Sequence, residues 1–410
     1  MLDYPYIPRH AEAAANRMGA QFGAILVTGA RQVGKSTMLR KLKVGTPEAT
    51  TDDALTLYSA TQAPELFFAY NPPPLLIDEV QRAPQLFPEV KKLLERTGGK
   101  GQVWMTGSDQ FELMRDVTES LAGRVGILNL LGLSQREIAR DPFHEPFLPG
   151  ADQATTRPAR APLDPNQVWQ AIWRGQMPQL VAHPGFDWAM FYGSYVRTYI
   201  ERDVRRLAAI QDESRFMAFI RVAAARTGQL LNVADMASTV GISHTAAKRW
   251  LSILQTSALV YLLPPWSANV GKRSVKTPKL YFLDTGLAAY LTSWTSPATL
   301  RDGAMAGQFL ESFAVAEVLR SYLNAGQLDP PVYFYRDYHK REIDLIIARD
   351  NTLHPVEVKR TGAPRRADCA SFQVLDSIPG ASRGSGCVLC LTERAQPITD
   401  TDTAVPISWI

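Results

Sequence analysis

A short segment near the amino terminus combines the chemical groups that bind a phosphate chain. Its spacing is GxxxxGK[ST], with Gly29 and Gly34 at the two glycine positions. Glycine allows main-chain N–H groups to approach phosphates closely, and a following helix adds partial positive charge. Lys35 should reach the β- and γ-phosphates of a nucleotide, and the hydroxyl of Ser36 should ligate Mg²⁺. The predicted nucleotide-binding residues are Gly29, Ala30, Arg31, Gln32, Val33, Gly34, Lys35, Ser36 and Thr37.

Two neighbouring acids end a short apolar run about forty residues further on, in Leu75-Leu-Ile-Asp78-Glu79. Asp78 is expected to hold Mg²⁺ through its hydration shell. Glu79 is expected to polarise the attacking water as a general base. The alternative is an exposed acidic strand end without function. The position favours the catalytic interpretation, because a third strand would fall here.

Two further candidates lie downstream. The apolar run Val103–Thr106 ends in hydroxyl residues, and we predict Ser108 as a sensor of the γ-phosphate, with Thr106 as the second choice. Arg124, in the segment SLAGR, could contact a phosphate in its own chain or in a neighbouring copy, or could be an ordinary surface arginine. The predicted catalytic residues are therefore Lys35, Glu79, Ser108 and Arg124.

Acids and a lysine also gather near the carboxyl terminus. Asp344 lies at the start of one predicted strand, and Glu357 and Lys359 end the next. Alternation places Glu357 and Lys359 on one face, and a hairpin would bring Asp344 beside them. Two carboxylates and a lysine are what a Mg²⁺-dependent phosphodiesterase requires, and Glu311 on the preceding helix could add a ligand. Either an active nuclease or an inactive, DNA-binding remnant fits this pattern.

A third group of residues is typical of DNA contact. Apolar spacing over 234–254 predicts a helix–turn–helix, with Ser243 capping its second helix. A basic hairpin follows, so the order of elements predicts a winged helix, whose basic helix and wing would suit a phosphate backbone. A packing module with a solvated basic edge is the alternative. The predicted DNA-binding residues are Thr245, Lys248, Arg249, Lys272, Arg273 and Lys276, with His244 and Lys279 nearby.

The elements that must position these residues can be predicted from composition and periodicity. Up to about residue 140, short apolar runs alternate with amphipathic stretches, which predicts a parallel sheet covered by helices. A proline-rich stretch then indicates a linker. We expect an α/β protein with five segments: a P-loop domain (1–140), a linker (141–165), a helical segment (166–212), a winged helix (213–292) and a terminal α/β domain (301–410).

The motifs GARQVGKST, LLIDEVQRAP, TGSDQ and SLAGR together resemble one group of bacterial and archaeal AAA-type ATPases. YVRTYIERD and LDTG match further motifs of that group, so the resemblance covers nearly the whole chain. It implies a carboxyl-terminal half of unknown function that combines a winged helix with a fold like that of PD-(D/E)xK nucleases. The group's helix motif often reads Glu-Asn-Phe, whereas this chain has Glu311-Ser312-Phe313. AAA relatives often form rings, so a homo-oligomer is possible.

Charge, cysteine content and the length of apolar runs limit the partners and the cellular compartment that we expect. The net charge of +4 permits nucleic-acid binding without arguing for it. Three cysteines give no disulfide framework, and the CxxC of Cys387 and Cys390 reads as a buried strand. The sequence contains no 18-residue apolar run and no evident secretory signal. We therefore expect a cytoplasmic protein without a membrane span.

Three functions fit these motifs. The first is a Mg²⁺-dependent ATPase that acts on or is regulated by DNA, with ATP and Mg²⁺ as cofactors. The second is an ATP-dependent switch whose winged helix and terminal domain bind a protein partner. A small-molecule kinase is the third and is disfavoured, because two extra domains and the Asp78-Glu79 pair point to hydrolysis.

Overall fold

The computed structural model describes residues 6–108, 117, 119–150, 161–199, 212–267 and 277–410. The chain divides into two compact units. The first runs to Leu133 and includes Thr256–Ala258 and Tyr322–Leu328, and the second contains the remaining residues. The expected α/β class is confirmed, with a parallel sheet in the first unit and helices with a mixed sheet in the second. None of the described helices is long and apolar enough to cross a membrane.

A parallel sheet forms the centre of the first unit, with the strand order β2-β3-β4-β1-β5 in its described part. Its central strands read as continuous apolar runs because both faces are covered, and β1, β3 and β4 are buried along their whole lengths. The strands are β1 (Ala24–Thr28), β2 (Glu48–Thr50), β3 (Leu75–Asp78), β4 (Val103–Thr106) and β5 (Val125–Asn129).

Helices flank this sheet. The clearest example is the helix Leu86–Thr97, which buries Leu86, Phe87, Val90, Leu93 and Leu94 at helical spacing and ends at Gly98 in the left-handed conformation. The helices are α1 (Ala11–Gln21), α2 (Lys35–Leu42), α3 (Ala54–Gln62), α4 (Pro64–Tyr70) and α5 (Leu86–Thr97).

The second unit begins with short helices and continues into a helix–turn–helix with a small antiparallel sheet. Asn232 caps the first helix of the pair, Gly241 ends it in the left-handed conformation, and Ser243 accepts a hydrogen bond from Ala246 N at 3.1 Å. The helices are α6 (Gln135–Ile138), α7 (Pro165–Arg174), α8 (Pro178–Ala182), α9 (Trp188–Tyr195), α10 (Glu213–Ala225), α11 (Val233–Val240) and α12 (His244–Thr256). The sheet order is β6-β8-β7, from β6 (Gln229–Leu230), β7 (Val260–Leu263) and β8 (Lys279–Phe282).

The carboxyl-terminal part of this unit is a long helix with a mixed sheet. The long helix, α15 (Ala306–Asn324), is apolar around most of its circumference and is correspondingly buried. The helices here are α13 (Thr285–Leu291), α14 (Pro297–Asp302) and α15 (Ala306–Asn324). The strands are β9 (Val332–Arg336), β10 (Glu342–Arg349), β11 (Thr352–Lys359), β12 (Ser382–Arg383), β13 (Gly386–Cys390), β14 (Gln396–Pro397) and β15 (Asp402–Pro406). Their order is β14-β15-β13-β11-β10-β9, with β12 beside β11, and a 3₁₀ segment, Arg366–Ser377, packs on the sheet.

Candidate functional site

The phosphate-binding segment lies between the carboxyl end of β1 and the amino end of α2. Gly29 and Gly34 have φ angles of +139° and +94°, which residues other than glycine rarely adopt. A Cβ atom at Gly29 would lie 2.0 Å from the carbonyl oxygen of Leu130. Both glycines of the motif are thus required by the backbone path, and α2 begins directly at Lys35.

The side chain of Lys35 folds back into the loop. Its Nζ donates hydrogen bonds to the carbonyl oxygens of Gly29, at 3.0 Å, and Ala30, at 2.8 Å. Burial lowers the pKa of this ammonium to about 8, although the nearby carboxylates of Glu79 and Asp78 act in the opposite direction. Lys35 therefore lies inside the cradle, close to where a phosphate chain would lie.

Asp78 and Ser36 form the candidate magnesium site. Ser36 Oγ donates to Asp78 Oδ1 at 2.5 Å, and the Thr106 hydroxyl donates to the same oxygen. Arg40 Nη2 lies 3.3 Å from Asp78 Oδ2. Hydroxyl and carboxylate oxygens are ligands that Mg²⁺ accepts, so the residues present fit the metal that the motif implies.

Glu79 is held beside this carboxylate in the left-handed region, with a φ of 56°. Its Oε2 accepts a hydrogen bond from Ser108 Oγ at 3.0 Å and another from the Gln81 amide. Its backbone N–H donates to Thr106 Oγ1 at 3.1 Å. The structure thus brings Ser108 and Thr106 to the two acids, because β4 lies between β1 and β3.

Two residues at this site were not predicted from the sequence. Gln81 contacts both Glu79 and Ser108, and Arg40 bridges Asp78 and Glu48. Arg40 carries a recognisable signal, since it follows Ser36 by one helical turn and so lies on the same face of α2. Gln81 has only its closeness in sequence to Glu79.

Arg124 is placed away from the phosphate-binding segment. It immediately precedes β5, and its carbonyl accepts from Ala24 N at the start of β1. Because β1 and β5 are parallel, Arg124 lies at the opposite edge of the sheet from Gly29. It pairs instead with Glu95 at 2.7 Å. The predicted contact within its own chain is therefore wrong, and a contact with a neighbouring copy stays a prediction.

Comparison with known families agrees with this geometry. Residues 21–139 match the family described as AAA domain. This chain carries a P-loop ATPase domain of the AAA type. Residues 306–410 match a domain of unknown function, DUF4143, and residues 165–298 match another, DUF8612. The AAA domain thus holds every residue of the nucleotide site described above.

Relatives and solved structures extend this comparison. Two uncharacterized proteins, from Mycobacterium tuberculosis and Mycobacterium bovis, are each 28% identical over 405 residues, covering 98% of this chain and 84% of theirs. The Walker-type ATPase of Pyrococcus abyssi aligns with a TM-score of 0.41 at 12% identity, covering 70% of this chain and 98% of that one. A RuvB variant from Thermotoga maritima aligns with 0.27 at 14%, covering 62% and 86%.

The helix–turn–helix that follows the AAA domain presents polar side chains to solvent. Thr245, Lys248 and Arg249 are exposed on α12, as is His244. The helix packs through its other face, where Ala247, Trp250, Leu251 and Leu254 are buried. Lys272, Arg273 and Lys276 of the predicted wing lie outside the described residues.

The terminal domain brings its predicted residues together. Lys359 Nζ contacts Glu357 Oε1 at 2.7 Å, and Asp344 Oδ2 accepts from Val358 N at 2.9 Å. Burial raises the pKa of Glu357 to about 8 and that of Glu311 to about 7, with the charge of Asp344 adding to both. Glu357 Oε2 is buried without a hydrogen-bond partner in the described part of the chain. Among the described residues, no three His, Cys, Asp or Glu side chains are grouped so as to hold a metal ion.

Lys279 departs from its predicted position. Sequence reasoning placed it in an exposed basic wing, but its side chain is only 4% exposed and lies among acids. The reason is strand alternation, since Lys279 begins β8 and points to the same side as Tyr281, and both contact Glu311. Lys279 therefore belongs to the acidic cluster and is not available to bind DNA.

Three smaller features of this domain concern two cysteines, a serine and a histidine. Cys387 and Cys390 lie buried in β13, as expected. Ser312, which departs from the resembled motif, is buried and within 2.8 Å of Thr227 Oγ1. His354 lies half-buried in β11 with Nδ1 3.1 Å from the Ser385 carbonyl oxygen.

Proposed function

We propose that this protein hydrolyses ATP with Mg²⁺ in its AAA domain and couples hydrolysis to contact between its winged helix and DNA. The observation that carries the first part is the meeting of Ser36, Asp78 and Glu79 at one edge of the parallel sheet. Ligands of open α/β sheets bind at the carboxyl ends of the strands. That edge is where these side chains converge.

Each residue of the site has a role that follows from its chemistry. Lys35 would move from the loop carbonyls to the β- and γ-phosphates. The phosphate oxygens are charged and therefore accept stronger hydrogen bonds than the carbonyl oxygens. Ser36 and Asp78 would hold Mg²⁺, which neutralises charge on the phosphates. Glu79, with Ser108 fixing its Oε2, would orient and deprotonate the attacking water.

The DNA part of the proposal is supported by the exposed face of α12. Lys248 and Arg249 are adjacent and solvent-exposed, whereas the opposite face is apolar and buried. Cations on the second helix of a helix–turn–helix are placed to meet phosphates or base edges in a groove. Contacts of this kind are mainly electrostatic and therefore depend on salt.

One observation favours the alternative function, a nucleotide-dependent switch that binds a protein. Helices α3 and α4 of the AAA domain expose large apolar side chains, including Leu55, Tyr58, Leu66 and Tyr70. Exposed apolar patches often mark protein contacts. A second copy of the chain or a different protein would both fit such a surface.

The test combines hydrolysis and binding on the full chain. ATP hydrolysis is measured with Mg²⁺, with and without duplex DNA, and DNA affinity is measured at several salt concentrations. The variants are Lys35→Ala and the pair Lys248→Ala/Arg249→Ala. The matched control is Lys92→Ala/Arg96→Ala, which removes the same charges from exposed positions of α5.

The proposal expects hydrolysis to disappear in Lys35→Ala. It expects Lys248→Ala/Arg249→Ala to weaken DNA binding and to reduce the salt slope by about 2, one unit for each lost cation. The control pair should bind DNA like the parent. If the rate of ATP hydrolysis is the same with and without DNA, and the protein does not bind DNA at low salt, the DNA part of the proposal is rejected. That result would favour the protein-binding switch.

A further inference from the structure

A buried lysine lies at the centre of the acids of the terminal domain. Lys279 Nζ is 2.6 Å from Glu342 Oε1, 2.8 Å from Glu311 Oε1 and 3.9 Å from Asp344 Oδ1. We call these three acids and Lys279 the lysine-centred cluster. Glu311 and Asp344 are two of the three carboxylates from which the sequence predicted a metal site, the third being Glu357, so two of these three carboxylates already have a cationic partner.

We infer that the ammonium of Lys279 is the resident cation of this cluster and that it excludes a divalent metal ion from Glu311 and Asp344. The nuclease-like metal site predicted from the sequence, which needs Asp344 and Glu311 beside Glu357, therefore does not fit the residues that surround it. This inference is independent of ATP hydrolysis and of DNA binding by α12.

Steric and electrostatic effects both oppose a divalent metal ion in front of Glu311. Mg²⁺ requires oxygen ligands at about 2.0–2.1 Å in near-octahedral geometry. An ammonium at 2.8 Å from Glu311 fills the space in front of this carboxylate. A divalent ion placed there would also meet the positive charge of Lys279 within a poorly solvated site, where repulsion is weakly screened.

Strand pairing on both sides holds the backbone of Lys279 in place. Its backbone lies in β8, paired with Leu263 of β7 on one side and Leu230 of β6 on the other. The chain beyond β7 pairs in turn with β9 of the terminal sheet, through Trp266 N to Phe334 O at 2.6 Å. The backbone of Lys279 is therefore fixed in the small sheet, and because its side chain is only 4% exposed the ammonium is confined among the acids.

The buried positive charge of Lys279 is paired with the carboxylates around it. A buried ammonium is stable only when it is paired and hydrogen-bonded. Lys279 is almost fully buried, and carboxylates on α15 and β10 supply that pairing. Tyr281 donates to the same Glu311 oxygen at 2.5 Å, and Arg336 pairs with Glu342 at 3.2 Å. Glu311 and Glu342 are therefore each paired with more than one group, as expected of a permanent contact between the small sheet and the terminal domain.

The experiment counts bound Mn²⁺ by electron paramagnetic resonance on the full chain without nucleotide. Every protein also carries Asp78→Asn, so that the AAA domain does not contribute a site. Lys279→Met is compared with the parent, with Lys279→Met/Asp344→Asn and with the control Lys340→Met, which removes an exposed lysine from the turn before β10. Mg²⁺ competition checks that the probe reports a hard-cation site.

We expect the parent and Lys340→Met to bind no Mn²⁺ in this cluster. Lys279→Met should gain one site, at least tenfold tighter than any in the parent, and the added Asp344→Asn should remove it. Lack of a new site in folded Lys279→Met would overturn the inference.

A second comparison keeps the test decisive if Lys279→Met does not fold. The parent is then compared with Asp344→Asn alone, which retains Lys279. Equal Mn²⁺ stoichiometry in these two proteins supports the inference. A site that is present in the parent and lost in Asp344→Asn would show that a metal ion binds in spite of the lysine.

Discussion

Ser36 and Asp78 are 42 residues apart in the sequence, yet Ser36 Oγ donates a hydrogen bond of 2.5 Å to Asp78 Oδ1. The contact exists because Ser36 lies in the first turn of α2, directly after β1, and Asp78 ends β3, and parallel strands end at the same edge of the sheet. The pair provides the oxygen atoms expected of a magnesium site in a P-loop protein. Disruption of either oxygen should therefore affect hydrolysis through the metal ion.

Replacement of Asp78 by asparagine should lower the rate of ATP hydrolysis by about 100-fold or more, because an oriented charge near the transferring phosphate is lost. The concentration of Mg²⁺ required for half-maximal rate should rise in the same variant. Steady-state hydrolysis across a magnesium titration measures both. Asp52→Asn is the control, since Asp52 is exposed and pairs with Arg82 on the surface. Equal losses in the two variants would contradict a magnesium role for Asp78.

Glu79→Gln should separate binding from hydrolysis. The amide cannot accept a proton, so hydrolysis should fall by roughly 10²- to 10⁴-fold, while the phosphate-binding segment is unchanged. Binding of a fluorescent ATP analogue and single-turnover hydrolysis distinguish the two effects. Ser108→Ala, which removes the 3.0 Å contact to Oε2, should give a smaller loss in the same direction. A Glu79→Gln variant that hydrolyses ATP normally would assign the general base elsewhere.

The nucleotide site could be predicted from sequence because its residues belong to short motifs whose geometry is local. Gly29 and Gly34 each require a positive φ angle, and the apolar runs before them and before Asp78 specify buried parallel strands. The meeting of Ser108 with Glu79 then follows from β4 lying between β1 and β3. Strand order alone brings distant hydroxyl and carboxylate groups together here.

The errors arose where a side chain's environment depends on distant segments. Arg124 was assigned from its motif, but its position before a parallel strand sends it to the opposite edge of the sheet. Lys279 was grouped with the basic residues that precede it in sequence, yet strand alternation turns it toward Glu311 on a helix 32 residues later. No local pattern records that contact, since a lysine on a hairpin looks the same whether it faces solvent or buried acids.

Nucleotide binding should take up protons near pH 8. Burial depresses the pKa of Lys35 to about 8, and contact with phosphates should raise it again, because the charged form gains an anionic partner. A non-hydrolysable ATP analogue should therefore take up about half a proton at about pH 8 and almost none near pH 6.5. Binding should weaken above pH 8, as the protonated fraction of Lys35 falls. Calorimetry in two buffers of different ionisation enthalpy measures the uptake.

Lys35→Arg provides the control for this prediction. Its guanidinium remains protonated over the whole range, so the uptake assigned to Lys35 should vanish even where the variant still binds the analogue. Uptake that persists in Lys35→Arg would assign the proton to another group.

Removal of one partner from a buried ion pair in the second unit should destabilise the fold. Arg320 Nη1 lies 2.7 Å from Glu317 Oε1, one helical turn earlier on α15, and both side chains are 1% exposed. Arg320 also donates to the carbonyl of Leu283 at 2.7 Å, and Glu317 accepts from Gln135 N at 3.0 Å. Arg320→Ala would remove the cation 2.7 Å from this buried carboxylate and should lower the free energy of unfolding by about 3–5 kcal/mol.

Arg215 and Asp212 offer a matched comparison, because they have the same spacing in sequence and lie 3.2 Å apart but are more than two-fifths exposed. Arg215→Ala should cost less than about 1 kcal/mol, since water screens exposed pairs. Urea unfolding followed by circular dichroism measures both variants. Arg320→Met combined with Glu317→Met should recover much of the loss, because the double variant removes the buried negative charge together with its cation. If the double variant is as unstable as Arg320→Ala, the hydrogen bonds to Leu283 and Gln135, and not the charge, are what stabilise this part of the fold.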